Sequence, residues 1–155
     1  MMTRAFLAAA ISAGVLLAHE ARASHYDLSA IDLVTPDVAS RLAGAKILTT
    51  EDLWNATATA RQVSKLSRAA RIPAKALREL HDLCDLLRLD GVGPKLARVL
   101  TLSGVRNLKA LARQDPAKLT EKIKLVNAQH EILGKLPDQD SVGTWIARAR
   151  ELSGK

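Results

Sequence analysis

The sequence repeats itself at an offset of 58 positions, without a gap. The coincident residues include a proline, an aspartate and an alanine as well as leucines, which favours true repetition over chance similarity in an Ala- and Leu-rich chain. Because the matched apolar residues recur at helical spacing, each copy is expected to bury the same face, and two such copies commonly share one core. The matched pairs are Asp32 with Asp90, Val34 with Val92, Pro36 with Pro94, Ala39 with Ala97, Leu42 with Leu100, and Leu53 with Leu111.

Helix is the only regular structure that the sequence predicts, since no stretch alternates apolar and polar residues for long enough to make a strand. Four prolines stand where the first turn of a helix loses no hydrogen-bond donor. Side-chain caps are expected from Thr49 or Thr50, from Asn107, and from Asp138 or Asp140. We therefore predict an all-α fold with repeat one at about 26–70, repeat two at about 80–123 and closing helices at about 124–155. The four prolines are Pro36, Pro73, Pro94 and Pro116.

The first 23 residues have the layout of a secretory signal peptide. A short basic start precedes the 14 uncharged apolar residues Ala5 to Ala18, and Ala21-Arg22-Ala23 supplies the small residues of a cleavage site. An uncleaved membrane anchor is the alternative, but a span needs about 20 apolar residues. The pattern predicts cleavage after Ala23, a mature domain over 24–155, and a periplasmic or secreted location without a stable membrane span.

Charge and cysteine content limit the classes of partner and of fold. The net charge is +7, and it is +6 without the leader, which favours a polyanionic partner such as nucleic acid, anionic lipid or an acidic protein. Cys84 is the only cysteine, so an internal disulfide is excluded and stability must come from the core. Within its apolar helix pattern, Cys84 is expected to be a buried thiol, with a disulfide-linked dimer as the alternative.

The stretch "LRLDGVGPKLARVL" from Leu87 to Leu100 predicts two helices joined by a tight turn. Gly91 and Gly93 suit positions where φ is positive or where the backbone must approach another body without a Cβ in between. Amides at the start of the second helix would face outward, with the positive end of the helix dipole behind them and Lys95 beside them, so a phosphate could dock there. Val92 is expected to insert between the two helices. The alternative is that Gly-Val-Gly only makes a tight turn between helices.

This stretch resembles the helix-hairpin-helix motif, a small DNA-binding unit without sequence preference. The resemblance implies phosphate contact by the backbone amides of Gly91, Gly93 and Lys95, with the side chains of Lys95 and Arg98 assisting. The residues that match the motif are Leu89, Gly91, Val92, Gly93, Lys95 and Ala97.

A wider resemblance covers nearly the whole chain after the leader. "LLRLDGVGPKLARVLTLSGVRNLKALARQDPAKLTEKI", then "VNAQHEILGKLPDQDSVGTWIARAREL", with the weaker copy "IDLVTPDVASRLAGAKILTTEDLW" in front, is similar to the bacterial domain of unknown function 4332. That resemblance implies tandem helix-hairpin-helix repeats, in the manner of the small helical bundles of SAM and helix-hairpin-helix domains, and it implies no activity.

Repeat one departs from the hairpin pattern at the positions of the two glycines. Leu33 and Thr35 stand where repeat two has Gly91 and Gly93, and Asp37 replaces Lys95. Cβ atoms and a negative charge would then occupy the surface that a phosphate approaches. We therefore expect repeat one to be a packing partner rather than a ligand site.

A second candidate surface is a basic stripe with no acidic residue between Asp52 and Glu79. Its basic residues recur every three or four positions, which on a continuous helix would form one face that tracks phosphates, although Pro73 is expected to break that helix. The alternative is an ordinary solvated face opposite the apolar residues Val63, Leu66, Ala69, Ile72 and Leu77. The stripe consists of Arg61, Lys65, Arg68, Arg71, Lys75 and Arg78.

The sequence predicts no enzyme, no metal and no cofactor. His25, His81 and His130 are scattered, with no metal-ligand spacing to Cys84, and no nucleophile elbow, Walker loop or dinucleotide fingerprint occurs. Aromatic residues are too few for a platform that stacks unpaired bases. Two functions remain: non-specific binding to the backbone of double-stranded DNA, or a protein-interaction or scaffold module of the cell envelope without nucleic-acid binding.

Overall fold

A computed structural model describes residues 25–154, and the predicted signal peptide lies outside them. The described chain is all-helical and contains no strand, as the sequence predicts, with one isolated bridge between Asp27 and Thr49. A short 3-10 turn over Leu28–Ala30 precedes the α-helices. The helices are α1 (Pro36–Gly44), α2 (Thr50–Ala56), α3 (Ala60–Ala70), α4 (Ala74–Leu87), α5 (Pro94–Leu102), α6 (Leu108–Ala112), α7 (Pro116–His130) and α8 (Gln139–Ser153).

Most of the helices begin where the sequence places a cap or a proline. Thr49 caps α2 as one half of a capping box, because its hydroxyl accepts from the N–H of Asp52 while the Asp52 carboxylate accepts from the N–H of Thr49. Asn107 caps α6, and Asp138 rather than Asp140 caps α8. Pro73 differs from the expectation, since it precedes α4 instead of occupying its first turn.

The same backbone turns recur at the repeat offset. The N–H of Val34 donates to the carbonyl of Ile31 at 2.8 Å, and the N–H of Val92 donates to that of Leu89 at 3.0 Å. After α1 and after α5 the chain passes through the left-handed region, at Lys46 with φ 62° and at Gly104 with φ 88°. α8 packs against α6 and α7, as α4 packs against α2 and α3. The closing helix thus occupies the place in the second half that α4 occupies in the first.

One apolar core runs through both halves, and it includes the matched leucines of the repeat. Leu42 and Leu100 are fully buried, as are Leu53 and Leu111. Cys84 is also buried in this core, and burial raises the pKa of its thiol to about 12. Equal burial at equivalent positions is what the periodic apolar pattern requires.

Candidate functional site

The second hairpin has the tight shape that its sequence predicts. α4 ends at Leu87 and α5 begins at Pro94, and between them Gly91 adopts φ 84°, a conformation that side chains with a Cβ rarely take. Val92 is only 1% exposed and points into the core between the two helices. Its insertion turns the flanking glycines toward the surface, where Gly91 is exposed and Gly93 is partly buried.

The first turn of α5 has no side-chain cap, in contrast to its counterpart α1. Gly93 is the residue before the helix and has no side chain to offer, and Lys95 in that first turn is exposed. In α1 the hydroxyl of Thr35 accepts from the N–H of Val38 at 3.4 Å, which satisfies one of the free amides. The amides that begin α5 therefore remain available to an outside acceptor, with the positive end of the helix dipole behind them.

Two aromatic residues from distant parts of the chain reach this loop. A Cβ built on Gly91 would lie 3.0 Å from Nε1 of Trp145, whereas one built on Gly93 would lie 3.7 Å from the Tyr26 hydroxyl, an ordinary contact distance. Glycine at 91 is thus required by the fold of this chain itself, independently of any ligand. Sequence reasoning missed both aromatic neighbours, because only tertiary packing brings them to the loop.

The charges around the second hairpin are of both signs. Lys95 is exposed, Arg98 is partly buried, and Lys135 lines a cleft of about 260 Å³ together with Gly91 and Trp145. The exposed carboxylate of Asp138 lines the same cleft. A bound anion would therefore sit closest to Lys95 and the α5 amides rather than inside the cleft.

The basic stripe is exposed throughout, but it is not one helix face. α3 ends at Ala70, Arg71 adopts the left-handed conformation with φ 55°, and α4 begins only at Ala74, so the stripe is divided between two helices. Beneath it Ala70 is buried, while Ala69, which the helical pattern assigns to the buried side, is exposed.

The part of the stripe on α4 lies far from the second hairpin. Lys75 is near the start of α4 and the loop follows its end, so the length of the helix, about 20 Å, separates them. Lys75 also pairs with Glu79 at 3.3 Å. The structure thus keeps the hairpin and this end of the stripe as two separate basic regions.

The first hairpin is the turn from Ile31 to Thr35, which follows the 3-10 turn rather than an α-helix. Here the residues that replace the glycines line an apolar groove of about 540 Å³. Its lining comes from Leu33, Thr35 and α1, from the middle of α4, and from the end of α5 with Arg106. Repeat one has therefore lost the glycines and presents an apolar surface in their place. The lining residues are Leu33, Thr35, Val38, Ala76, Glu79, Leu80, Asp82, Leu83, Thr101, Leu102 and Arg106.

A polar cluster that sequence reasoning missed joins α2 to α4. The rings of Trp54 and His81 stack at 4.1 Å between centroids, and the Arg88 guanidinium lies 4.5 Å from the Trp54 ring. The Thr57 hydroxyl donates to the carbonyl of Leu53 at 2.6 Å, so His81 Nδ1, 2.8 Å away, donates to that hydroxyl. Burial lowers the pKa of His81. The sequence shows these residue types, but it does not show that Trp54, His81 and Arg88 come into contact.

Arg88 extends this cluster toward α6. It pairs with Asp85 at 3.1 Å, and the other oxygen of Asp85 accepts from the N–H of Leu108 at 2.9 Å, at the start of α6. Asp82 likewise accepts from the side chain of Asn107 at 3.1 Å. These carboxylates, on either side of Cys84 in sequence, are therefore engaged in joining helices.

The described residues contain no group of three His, Cys, Asp or Glu side chains able to hold a metal ion. Among the helices of residues 25–154, none combines the length and the apolar character that a membrane crossing needs.

The described residues form a small all-helical domain whose candidate sites lie at its loops. The helix that follows the second hairpin starts without a side-chain cap. The chain belongs to the family described as Domain of unknown function (DUF4332), whose family model matches residues 33–152. The match begins at Leu33, within the turn of repeat one, includes the whole second hairpin and ends one residue before the end of α8. Comparison with curated proteins and with solved structures gives no match.

Proposed function

We propose that the protein is an exported, non-enzymatic tandem helix-hairpin-helix domain that binds the phosphate backbone of double-stranded DNA through its second hairpin. The observation that carries this proposal is the uncapped start of α5 beside the exposed Lys95. The recurrence of the same backbone turns at the repeat offset supports the tandem arrangement, and the pattern of the first 23 residues supports export.

The contact would be electrostatic and independent of base sequence. A phosphate oxygen accepts from the amides of Gly93 and Lys95, and the ammonium of Lys95 adds a point charge. Arg98, one turn further along α5, is placed to assist on the same side of the helix. Because Asp37 stands at the equivalent place in α1 and pairs with Arg41 at 3.0 Å, one hairpin rather than two would hold the duplex.

A duplex-DNA titration of the full chain at two salt concentrations tests this function. Binding should weaken steeply with salt, with a logarithmic slope of about 0.9 for each phosphate that is neutralised. Lys95→Glu should weaken binding and lower that slope by about one contact. Lys122→Glu makes the same change of charge at an exposed site on α7 and is the matched control.

Two results would count against the DNA proposal. One is the absence of binding at low salt. The other is an equal effect of Lys95→Glu and Lys122→Glu, because net charge rather than the hairpin would then account for the affinity.

A second candidate function is a protein-interaction or scaffold module of the cell envelope. It is favoured by the apolar groove that Leu33 and Thr35 line in place of the phosphate-facing glycines. It predicts that the protein co-purifies from the envelope fraction with a stoichiometric protein partner, which nuclease treatment does not release. Recovery of the protein alone, in the presence or absence of nuclease, would contradict it.

A further inference from the structure

The apolar groove at the first hairpin includes two large hydrophobic side chains from distant parts of the chain. Leu33 is 40% exposed and Leu102 is 47% exposed, and both line the groove of about 540 Å³. Exposed leucines that line one open groove are typical of sites that receive an apolar stripe of a partner. An amphipathic helix fills such a groove with anchors at positions i, i+3 or i+4, and i+7.

The charges at the groove are mostly negative, although the protein as a whole is basic. Glu79 and Asp82 line it, against the single cation Arg106 among its lining residues. The exposed Asp32 precedes Leu33 in sequence, whereas Asp37 is paired with Arg41. The Lys75 that pairs with Glu79 is itself 83% exposed, so an incoming cation can replace it at little cost. A ligand with basic residues beside its apolar stripe is complementary to this rim.

The described residues of a second copy of the folded chain present no helix that would fill this groove. The large exposed hydrophobic residues of the described chain are isolated, and no two of them share a helix, so none forms the repeated anchors that the groove can hold. On α7, for example, Leu125 at 66% exposure stands alone. These residues are Leu33, Leu48, Leu102, Leu125 and Leu136.

We propose that this groove binds a basic amphipathic helix of another protein. The inference rests on the second candidate function, the protein-interaction module, and names the class of its partner. Leu33, Val38, Leu83 and Leu102 receive the apolar stripe of the helix. Glu79 receives its lysines or arginines, and Asp82, which remains bonded to Asn107, adds negative charge beside it. The second hairpin takes no part, so occupation of the groove leaves the Lys95 surface unchanged.

Fluorescence anisotropy with three labelled synthetic helices tests this inference on the full chain. The peptides carry leucines at the same anchor positions and differ only in their polar residues, which are lysine, glutamine or glutamate. Since the protein carries a net charge of +7, non-specific attraction would favour the glutamate peptide. We expect the lysine peptide to bind most tightly, because the acidic groove attracts a basic peptide whereas the net charge of the protein repels it.

Variants at exposed positions locate the binding without disturbing the core. Leu33→Ser and Leu102→Ser should each weaken the lysine peptide by about tenfold, the loss expected when one leucine contact is removed. Leu125→Ser, at an exposed leucine on α7, should leave binding unchanged and is the matched control. Glu79→Gln should reduce the preference for lysine over glutamine.

Each contrary outcome has a separate meaning. Equal binding of the lysine and glutamine peptides, lost in Leu33→Ser, would overturn the basic class of partner and leave the interaction module standing. Tighter binding of the glutamate peptide, no binding of any peptide, or an equal effect of Leu125→Ser would overturn the groove as the site. Lys95→Glu should not alter peptide binding, so failure of the DNA proposal remains distinguishable.

Discussion

Gly91 is the residue at which local backbone and tertiary packing impose the same requirement. Its φ of 84° disfavours a Cβ, and a Cβ would also lie 3.0 Å from Nε1 of Trp145. Gly93 carries neither constraint, since its φ is −85° and its nearest neighbour would be 3.7 Å away. Two glycines that look alike in the sequence therefore differ in what they do for the fold.

Gly91→Ala should destabilise the protein by about 2 kcal/mol, because it combines a left-handed conformation with a close contact to an indole ring. Gly93→Ala should change the free energy of unfolding by less than about 0.5 kcal/mol. Chemical denaturation of both variants measures the difference. Combining Gly91→Ala with Trp145→Phe should recover the part of the loss that comes from the contact. Equal stability of the two single variants would contradict this assignment.

Between helices, the contact of α2 with α4 partly buries His81, and burial favours the uncharged form of its imidazole. Burial lowers the pKa of its imidazole, and the nearby Arg88 acts in the same direction, while Asp85 and Asp82 oppose it. The lowered pKa means that the folded state binds the proton less readily than the unfolded chain, whose histidine titrates near 6.5. The stabilisation is therefore complete above that pH and is lost as pH falls through the folded pKa.

His81→Asn should reduce the pH dependence of stability. Asn keeps a donor for the Thr57 hydroxyl but cannot titrate, so the variant should lose less stability than the wild type between about pH 7.5 and pH 5. Thermal unfolding at the two pH values measures this difference. His130→Asn, at an exposed histidine near the end of α7, is the control. An unchanged pH dependence in His81→Asn would show that another group causes the acid sensitivity.

The elements of this fold were largely predictable because their signals are local. Capping side chains and prolines mark most helix starts, and the apolar period assigns Leu42, Leu53, Leu100 and Leu111 to the core, where they lie. Pro73 was placed one residue too far into α4. Ala69 was assigned to the buried side because the apolar pattern was continued in steps of three, whereas the buried face of α3 runs through Val63, Leu66 and Ala70. Local rules are therefore least accurate near the ends of helices.

The candidate sites were predictable only in part, since they depend on how distant segments meet. The shape of the second hairpin follows from its glycines and Val92, but the approach of Trp145 to Gly91 depends on where α8 packs. The loss of glycines in repeat one was visible in the sequence. That Leu33 would line one groove with Leu102 was not, because these residues are far apart in the sequence and meet only in the folded chain.

For the molecule as a whole, the central claim is that the two hairpins have diverged, and that the second alone contacts a phosphate backbone. A titration of the isotopically labelled full chain with a short DNA duplex, followed by two-dimensional NMR, tests this claim at the level of single amides. We predict that the largest shifts at low salt fall on the amides of Gly93, Lys95 and Leu96, while those of Thr35 and Asp37 stay in place. Shifts confined to the α3 stripe or spread evenly over the surface, or no shifts at all, would contradict the assignment of the phosphate site to the second hairpin.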